Sequence, residues 1–239
     1  MALYEKFLDG VPWYLARHYW WAYLWKRSIW FFDHQPIINA ILFGQYQKLM
    51  DATLARYQPQ DGESALQLTC VYGKLTPSLA RQTKHGLHIM DASLDQLALA
   101  RRKCVDTPLF AARMDAECLA YASDVFDHVV LFFLLHEMPS EAREHTLSEM
   151  LRVIRSGGHF MITEYGPLPN RHWLYRFMPF RCLLGRLEPF LPGFWHEDLD
   201  EKLNLAAARH GKSVHRIEPS ASIFSGFYRV VEYHVSDSD

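Results

Sequence analysis

The feature that most constrains this chain is the regular alternation of short apolar runs and helical stretches between residues 65 and 165. Residues 65–70 form an apolar run ending in a turn. Residues 77–83 then read as helix, with Pro77 near its start, where a missing N–H costs little. A second run, 87–90, is closed by Asp91 and followed by a helix over 94–103; a third, 109–112, precedes Asp115. Residues 128–133, with V-V-L-F-F, read as a strand buried on both faces. Residues 140–154 are helical with acids near the start, Gly157-Gly158 is expected to break that helix, and 159–163 forms a fifth strand. Strands and helices at this spacing imply right-handed βαβ units and a parallel sheet. After a helix over 199–210, residues 213–235 carry two β-rich runs around Pro219 and Gly226, expected to close the sheet as an antiparallel hairpin.

The flanks differ in texture. Residues 1–60 are aromatic and helical in period and are expected to cap an α/β domain over 61–239, with an aromatic insertion at 166–197. A chain of 239 residues with 49% hydrophobic and 22% charged residues can bury one sizeable core. A net charge of −2 gives no basic stripe for nucleic acid. Four scattered cysteines without a Cys-x-x-Cys pair argue against a disulfide framework or structural zinc and for a reducing cytoplasm. The start M-A-L-Y-E-K does not read as a signal peptide, and no run of uncharged apolar residues is long enough to span a bilayer.

Two segments, 13–32 and 172–195, mix Trp, Tyr and Phe with basic residues such as Arg17, Lys26 and Arg27. That mixture suits the headgroup level of an anionic membrane, and it equally suits an ordinary aromatic cap over the core. Both readings predict a greasy substrate.

In a doubly wound sheet, ligands lie beyond the carboxyl ends of the strands. The residues there are 67–76 (Q-L-T-C-V-Y-G-K-L-T), Asp91 with Ala92, Asp115 with Ala116, the stretch from Phe132 and Phe133 to His136, and Glu164 with Tyr165. Asp91 falls 18 positions after Gly73, where a carboxylate can take both hydroxyls of a ribose. Asp115 is positioned to accept the exocyclic amine of an adenine. Either acid alone would read as a helix N-cap; the pair makes an adenosine-shaped site.

The run M-D-A-E-C-L-A-Y-A-S-D-V-F-D-H-V-V-L-F-F-L-L-H-E-M-P, followed by L-S-E-M-L-R-V-I-R-S-G-G-H-F-M-I-T-E, resembles the second half of a class I S-adenosylmethionine-dependent methyltransferase of the quinone-methylating kind. The resemblance covers residues 62–165. It implies a Rossmann-like, mostly parallel seven-stranded sheet, with Asp91 on the ribose, Asp115 and Ala116 flanking the adenine, and residues 132–134 lining the methionine end. The first motif departs from that family. Gln67, Thr69 and Val71 stand where an acid and two glycines are usual, and only Gly73 remains, so the loop is expected to take another path with Tyr72 near the methionine end.

The Y-G-x-x-T pattern (Tyr72, Gly73, Thr76), the run I-L-F-G-Q-Y-Q-K-L and the Trp-rich start resemble the RquA family of rhodoquinone biosynthesis proteins. That resemblance implies transfer of the amino group of S-adenosylmethionine onto ubiquinone in place of a methoxy group, and a manganese requirement. With the two aromatic segments, a cytoplasmic protein attached peripherally to the inner membrane is expected. Gln67, in place of an acid, would leave the amine less firmly held as ammonium. His136 is a candidate base, carbonyl donor or manganese ligand, and Glu164 and Tyr165 would face the quinone or a hard cation. The metal ligands are not read from the sequence. Conventional methyl transfer to a lipophilic acceptor and a non-catalytic binding scaffold stand as alternatives.

Overall fold

In the computed structural model, residues 9–167 and 172–238 are described; parts of the predicted cap (1–8) and insertion (168–171) lie outside them. Seven described strands form one sheet: β1 (Ala65–Leu68), β2 (Leu87–Asp91), β3 (Leu109–Arg113), β4 (Phe126–Phe132), β5 (Ile154–Tyr165), β6 (Lys212–Ile223) and β7 (Tyr228–Asp237). Their order is β3-β2-β1-β4-β5-β7-β6. The first five run parallel, and β7 lies antiparallel to both β5 and β6. The expected mainly parallel sheet with an antiparallel closing hairpin is therefore present.

The physical basis is visible in burial. All four residues of β1 are buried, as are five consecutive residues of β4, His128 to Phe132. A strand covered by helices on both faces needs such continuous apolar runs. The covering helices within the sheet region are α6 (Leu75–Gln82), α7 (Leu94–Lys103), α8 (Ser140–Val153) and α12 (Leu199–Ala208). Ahead of β1 lie α1 (Trp13–His18), α2 (Trp20–Tyr23), α3 (Lys26–Phe32), α4 (Gln35–Ile41) and α5 (Tyr46–Arg56); between β5 and α12 lie α9 (Trp173–Arg176), α10 (Met178–Leu187) and α11 (Leu191–Phe194). Tyr14, Ile38, Leu42, Tyr46 and Leu49 of the N-terminal helices belong to the same hydrophobic cluster as Leu68, Leu131 and Phe160 of the sheet.

One boundary is corrected. Gly157-Gly158 does not separate a helix from a strand: α8 ends at Val153 and β5 begins at Ile154, running through both glycines. The pairing jumps from Phe126↔Ile154 to His128↔His159, so β5 carries extra residues there. Gly157, at φ +84°, supplies the left-handed backbone this bulge needs.

No helix among the described residues is long and apolar enough to cross a membrane.

Candidate functional site

A cavity opens at the carboxyl ends of β1, β2, β3, β4 and β5, where the strand order reverses beside β1. Its walls combine strand tips with the N-terminal helices and the segment after α10.

One half is built by Thr69 to Tyr72, Met90 to Ala92 and Met114 to Ala116. Asp91 is almost fully buried at the tip of β2. Its Oδ2 accepts the backbone N–H of Cys70 at 2.9 Å, and its Oδ1 that of Ser93 at 2.7 Å. Burial pushes its carboxyl up to about 6, against the pull of the two backbone N–H groups. Asp91 is not the cap of α7: Ser93 holds that position and accepts from Gln96 N–H. Asp115 accepts the N–H of Glu117 at 3.0 Å and still lines the cavity. Two carboxylates thus stand at neighbouring strand tips, over the apolar Met90, Ala92, Met114 and Ala116.

The loop after β1 explains how a chain without the usual glycines makes this turn. Thr69 sits at φ +65°, and Gly73 at φ +83°. The left-handed conformation costs a threonine on the order of 1–3 kcal/mol, so the surroundings must impose it. Gln67, fully buried, donates from Nε2 to the Thr69 carbonyl at 3.0 Å. The N-terminal helices hold the rest. The Tyr46 hydroxyl accepts the N–H of Lys74 at 2.7 Å, Asp33 accepts the N–H of Gly73 at 2.9 Å, and Lys103 donates to both Asp33 and the Gly73 carbonyl. The expected different path is therefore only partial: the left-handed turn survives at Thr69, and packing replaces glycine in enforcing it. A Cβ on Gly73 would overlap the Tyr46 hydroxyl. Gly73→Ala is expected to destabilise the protein by at least about 2 kcal/mol, from left-handed strain and overpacking together, read as a lowered thermal midpoint; an unchanged midpoint refutes the lock.

Tyr72 leans into the cavity, stacked on Tyr23 (ring centroids 5.9 Å apart, planes 13° apart) and tilted against Phe32 at 6.0 Å. Its hydroxyl donates to the Ala22 carbonyl at 2.5 Å.

The other half is acidic. Past β4, a 3₁₀ turn, Leu135–Glu137, presents His136 and Glu137 to the cavity. His136 Nδ1 lies 3.0 Å from both carboxylate oxygens of Glu164, which is fully buried at the end of β5. His136 Nε2 lies 3.9 Å from Glu137 Oε1 and 3.8 Å from Glu188 Oε2, just beyond α10. The Tyr23 hydroxyl donates to Glu137 at 2.5 Å and the Tyr19 hydroxyl to Glu188 at 3.0 Å. Burial, the largest single influence, lowers the imidazole's pKa, but the charge and hydrogen bond of Glu164 with the charges of Glu188 and Glu137 together outweigh it and raise it. Glu164 itself is held below the usual carboxylate range: burial works upward, and the His136 charge and hydrogen bond prevail. Burial pushes Glu137 up to about 8 and raises Glu188, each partly opposed by His136. Donor atoms of His136, Glu137 and Glu188 all lie within 4.8 Å of one another, the one such group among the described residues.

Of the residues expected from sequence, Thr69, Tyr72, Asp91, Ala92, Asp115, Ala116, Phe132, Phe133, His136 and Tyr165 line this one cavity. Gln67, Gly73, Thr76 and Glu164 do not line it. Gln67 is turned to the Thr69 carbonyl beneath the wall, Gly73 is occupied by the Asp33–Lys103 clamp, Thr76 is buried on α6, and Glu164 stands behind His136. The sequence reading missed Glu137, Glu188, Tyr19, Tyr23 and Asp33. Glu188 carried one signal: it is the lone acid in the aromatic, arginine-bearing stretch 166–196.

Residues 65–158 match the family described as a methyltransferase domain. Over 166 residues the chain is 28% identical to a demethylmenaquinone methyltransferase of Halalkalibacterium halodurans, spanning 65% of this chain and 67% of that protein. Over 132 residues it is 30% identical to the ubiquinone/menaquinone biosynthesis C-methyltransferase UbiE of Geobacter sulfurreducens, spanning 52% of this chain and 50% of that protein. The matches thus extend over half to two thirds of these relatives. Among solved structures, a phosphoethanolamine N-methyltransferase of Haemonchus contortus, in complex with S-adenosylhomocysteine, superposes with a TM-score of 0.62 at 14% identity, covering 100% of this chain and 61% of that one. The shared feature is the Rossmann-like fold of the class I S-adenosylmethionine-dependent methyltransferases.

Proposed function

On this class I methyltransferase fold, we propose that the chain is an S-adenosylmethionine-dependent transferase acting on a quinone. More specifically, it moves the amino group of S-adenosylmethionine onto ubiquinone in place of a ring methoxy group. The observation that carries this reading is the asymmetry of the cavity: Asp91 and Asp115 stand at neighbouring strand tips in one half, whereas the other half is lined by Tyr72, Tyr23, His136, Glu137 and Glu188.

The carboxylates of Asp91 and Asp115 would take the ribose hydroxyls and the adenine amine, and the faces of Tyr72 and Tyr23 suit a sulfonium cation. The amine would add to the ring carbon bearing the methoxy group, a C–O bond being exchanged for a C–N bond as methoxide leaves and takes the amine's proton to give methanol. The donor's Cα–N bond would then break in two steps: the Cα proton is lost and its electron pair reduces the quinone ring to the quinol level, leaving an imine, and water hydrolyses that imine to the donor's α-keto acid and the aminoquinol, which reoxidises to the aminoquinone. Addition requires the neutral amine. Gln67, expected to leave the amine less firmly held as ammonium, donates to the Thr69 carbonyl beneath the cavity wall.

The manganese implied by the RquA resemblance fits the donor set of His136 Nε2, Glu137 and Glu188, since carboxylate oxygens with one imidazole suit Mn²⁺. Glu164 fixes the imidazole through Nδ1, as a carboxylate commonly does behind a metal-bound histidine, and Tyr19 and Tyr23 orient the two acids. Bound there, the ion supplies Lewis acidity toward a quinone carbonyl. Glu188→Gln is expected to weaken Mn²⁺ binding at least about tenfold, read from the free-ion signal in paramagnetic resonance titrations; equal affinity removes Glu188 from the site.

The names of the relatives favour a second reading, conventional methyl transfer to a quinone. Mass spectrometry of ubiquinone incubated with the protein, Mn²⁺ and ¹⁵N-labelled S-adenosylmethionine separates the two. Amino transfer gives a quinone that has lost a methoxy group and carries the label; methyl transfer gives S-adenosylhomocysteine and no label in the quinone.

A further inference from the structure

Ile41 lines the cavity and is 52% exposed, so the cavity mouth opens beside it. Trp13, half exposed, borders the same region through Phe190, its ring 6.3 Å away. The segment α9–α10 runs along this rim: Phe180 meets Phe43, two residues past Ile41, at 5.8 Å, and Glu188 reaches the cavity wall.

The outer surface of that segment is unusual. Trp173, Phe177, Met178, Leu183 and Leu187 are between 47% and 66% exposed. The only charged residues from 173 to 187 are Arg176, Arg181 and Arg186, all exposed. None of the three pairs with a carboxylate among the described residues. Exposed apolar side chains in such concentration mark an interaction surface. Cations of one sign interleaved with them, and no acid, select an anionic lipid surface over a protein partner: the apolar side chains enter the acyl boundary, tryptophan settles at the headgroups, and each arginine adds attraction toward anionic lipid.

We infer that α9–α10, with Trp13 and Ile41, docks on an anionic bilayer so that the cavity mouth opens onto the lipid. The choice of a lipid-borne substrate rests on the quinone reading above; the docking itself is tested without it.

The test is cosedimentation of the full chain with vesicles of phosphatidylcholine alone and of phosphatidylcholine mixed with phosphatidylglycerol. Binding is expected to be at least about tenfold stronger to the mixed vesicles and to weaken with salt. Arg181→Glu/Arg186→Glu and Met178→Glu/Leu183→Glu should each reduce it at least about tenfold, with unchanged thermal midpoints because all four residues are exposed. Failure of the wild-type chain to sediment, equal binding to both vesicles, or indifference to both double variants overturns the inference. So does a change in self-association of the variants in lipid-free buffer without vesicle binding, which would make the face a contact between copies. Amination of detergent-dispersed ubiquinone should survive in the arginine variant. If vesicles bind as stated but no amination occurs, docking stands and the proposed reaction falls.

Discussion

Asp91→Ala is expected to reduce affinity for S-adenosylmethionine by about 100-fold to 10,000-fold, because two charge-assisted hydrogen bonds to a ribose are each worth about 1.5–3 kcal/mol. The carboxylate also anchors the backbone of Cys70 and Ser93, so its loss slackens the turn after β1 as well as the ribose contact. Isothermal calorimetry with S-adenosylhomocysteine checks the prediction, and retained affinity would sink the assignment of the adenosine half. The pH dependence has two opposite signs. With its carboxyl pushed up to about 6, above an ordinary value of 3.8, Asp91 disfavours the ligand-free fold when ionised. Stability attributable to this group therefore rises as pH falls through about 6 toward 3.8. Affinity for the ligand, which needs the ionised acceptor, should decline over the same interval.

Glu164→Gln is expected to cost the fold about 3–5 kcal/mol, the range for removing one partner of a buried ion pair. Glu164 accepts the N–H groups of Leu135 at 2.8 Å and Tyr165 at 2.9 Å, along with His136 Nδ1. An amide would turn two hydrogens toward groups that are themselves donors. In a chain of this size each kcal/mol shifts the thermal midpoint by about 2–4 °C, so the loss should be plain in a melt. Mn²⁺ binding should fall with it, although Glu164 itself does not face the cavity, since the imidazole loses the group that sets its orientation. A variant that melts like the parent would show that the Glu164–His136 pair is not the support of the 3₁₀ turn.

Much of the sheet was legible because its strands are short, continuous apolar runs, as at 129–132, and that pattern depends only on neighbours in sequence. The tips of the strands were legible for the same reason: Asp91 follows directly on the second run, and Asp115 lies three positions past the end of the third. The bulge at Gly157-Gly158 was misread because a glycine pair ends a helix and opens a bulge with the same residues, and only pairing to Phe126 and His128 decides between them. The acidic half of the cavity was illegible for a different reason. Glu188 meets His136 across 52 positions (188 − 136) and Tyr23 meets Glu137 across 114; no local period encodes such encounters. Gln67 was misjudged because comparison with a glycine-type loop says what a position has lost, whereas its hydrogen bond to Thr69 says what it now does.

The clamp of Asp33, Tyr46 and Lys103 on the loop at Gly73 has a consequence for how such a protein diversifies. The loop and the helices ahead of the sheet are a matched pair. Grafting the loop of residues 69–73 into a glycine-type relative should yield a slack, ill-defined turn, and restoring glycines here would leave the helices gripping a backbone that no longer needs them. New chemistry on this scaffold would have to be inherited as both parts together, with the helices between Trp13 and Arg56 as much a portion of the cavity's architecture as the strand tips.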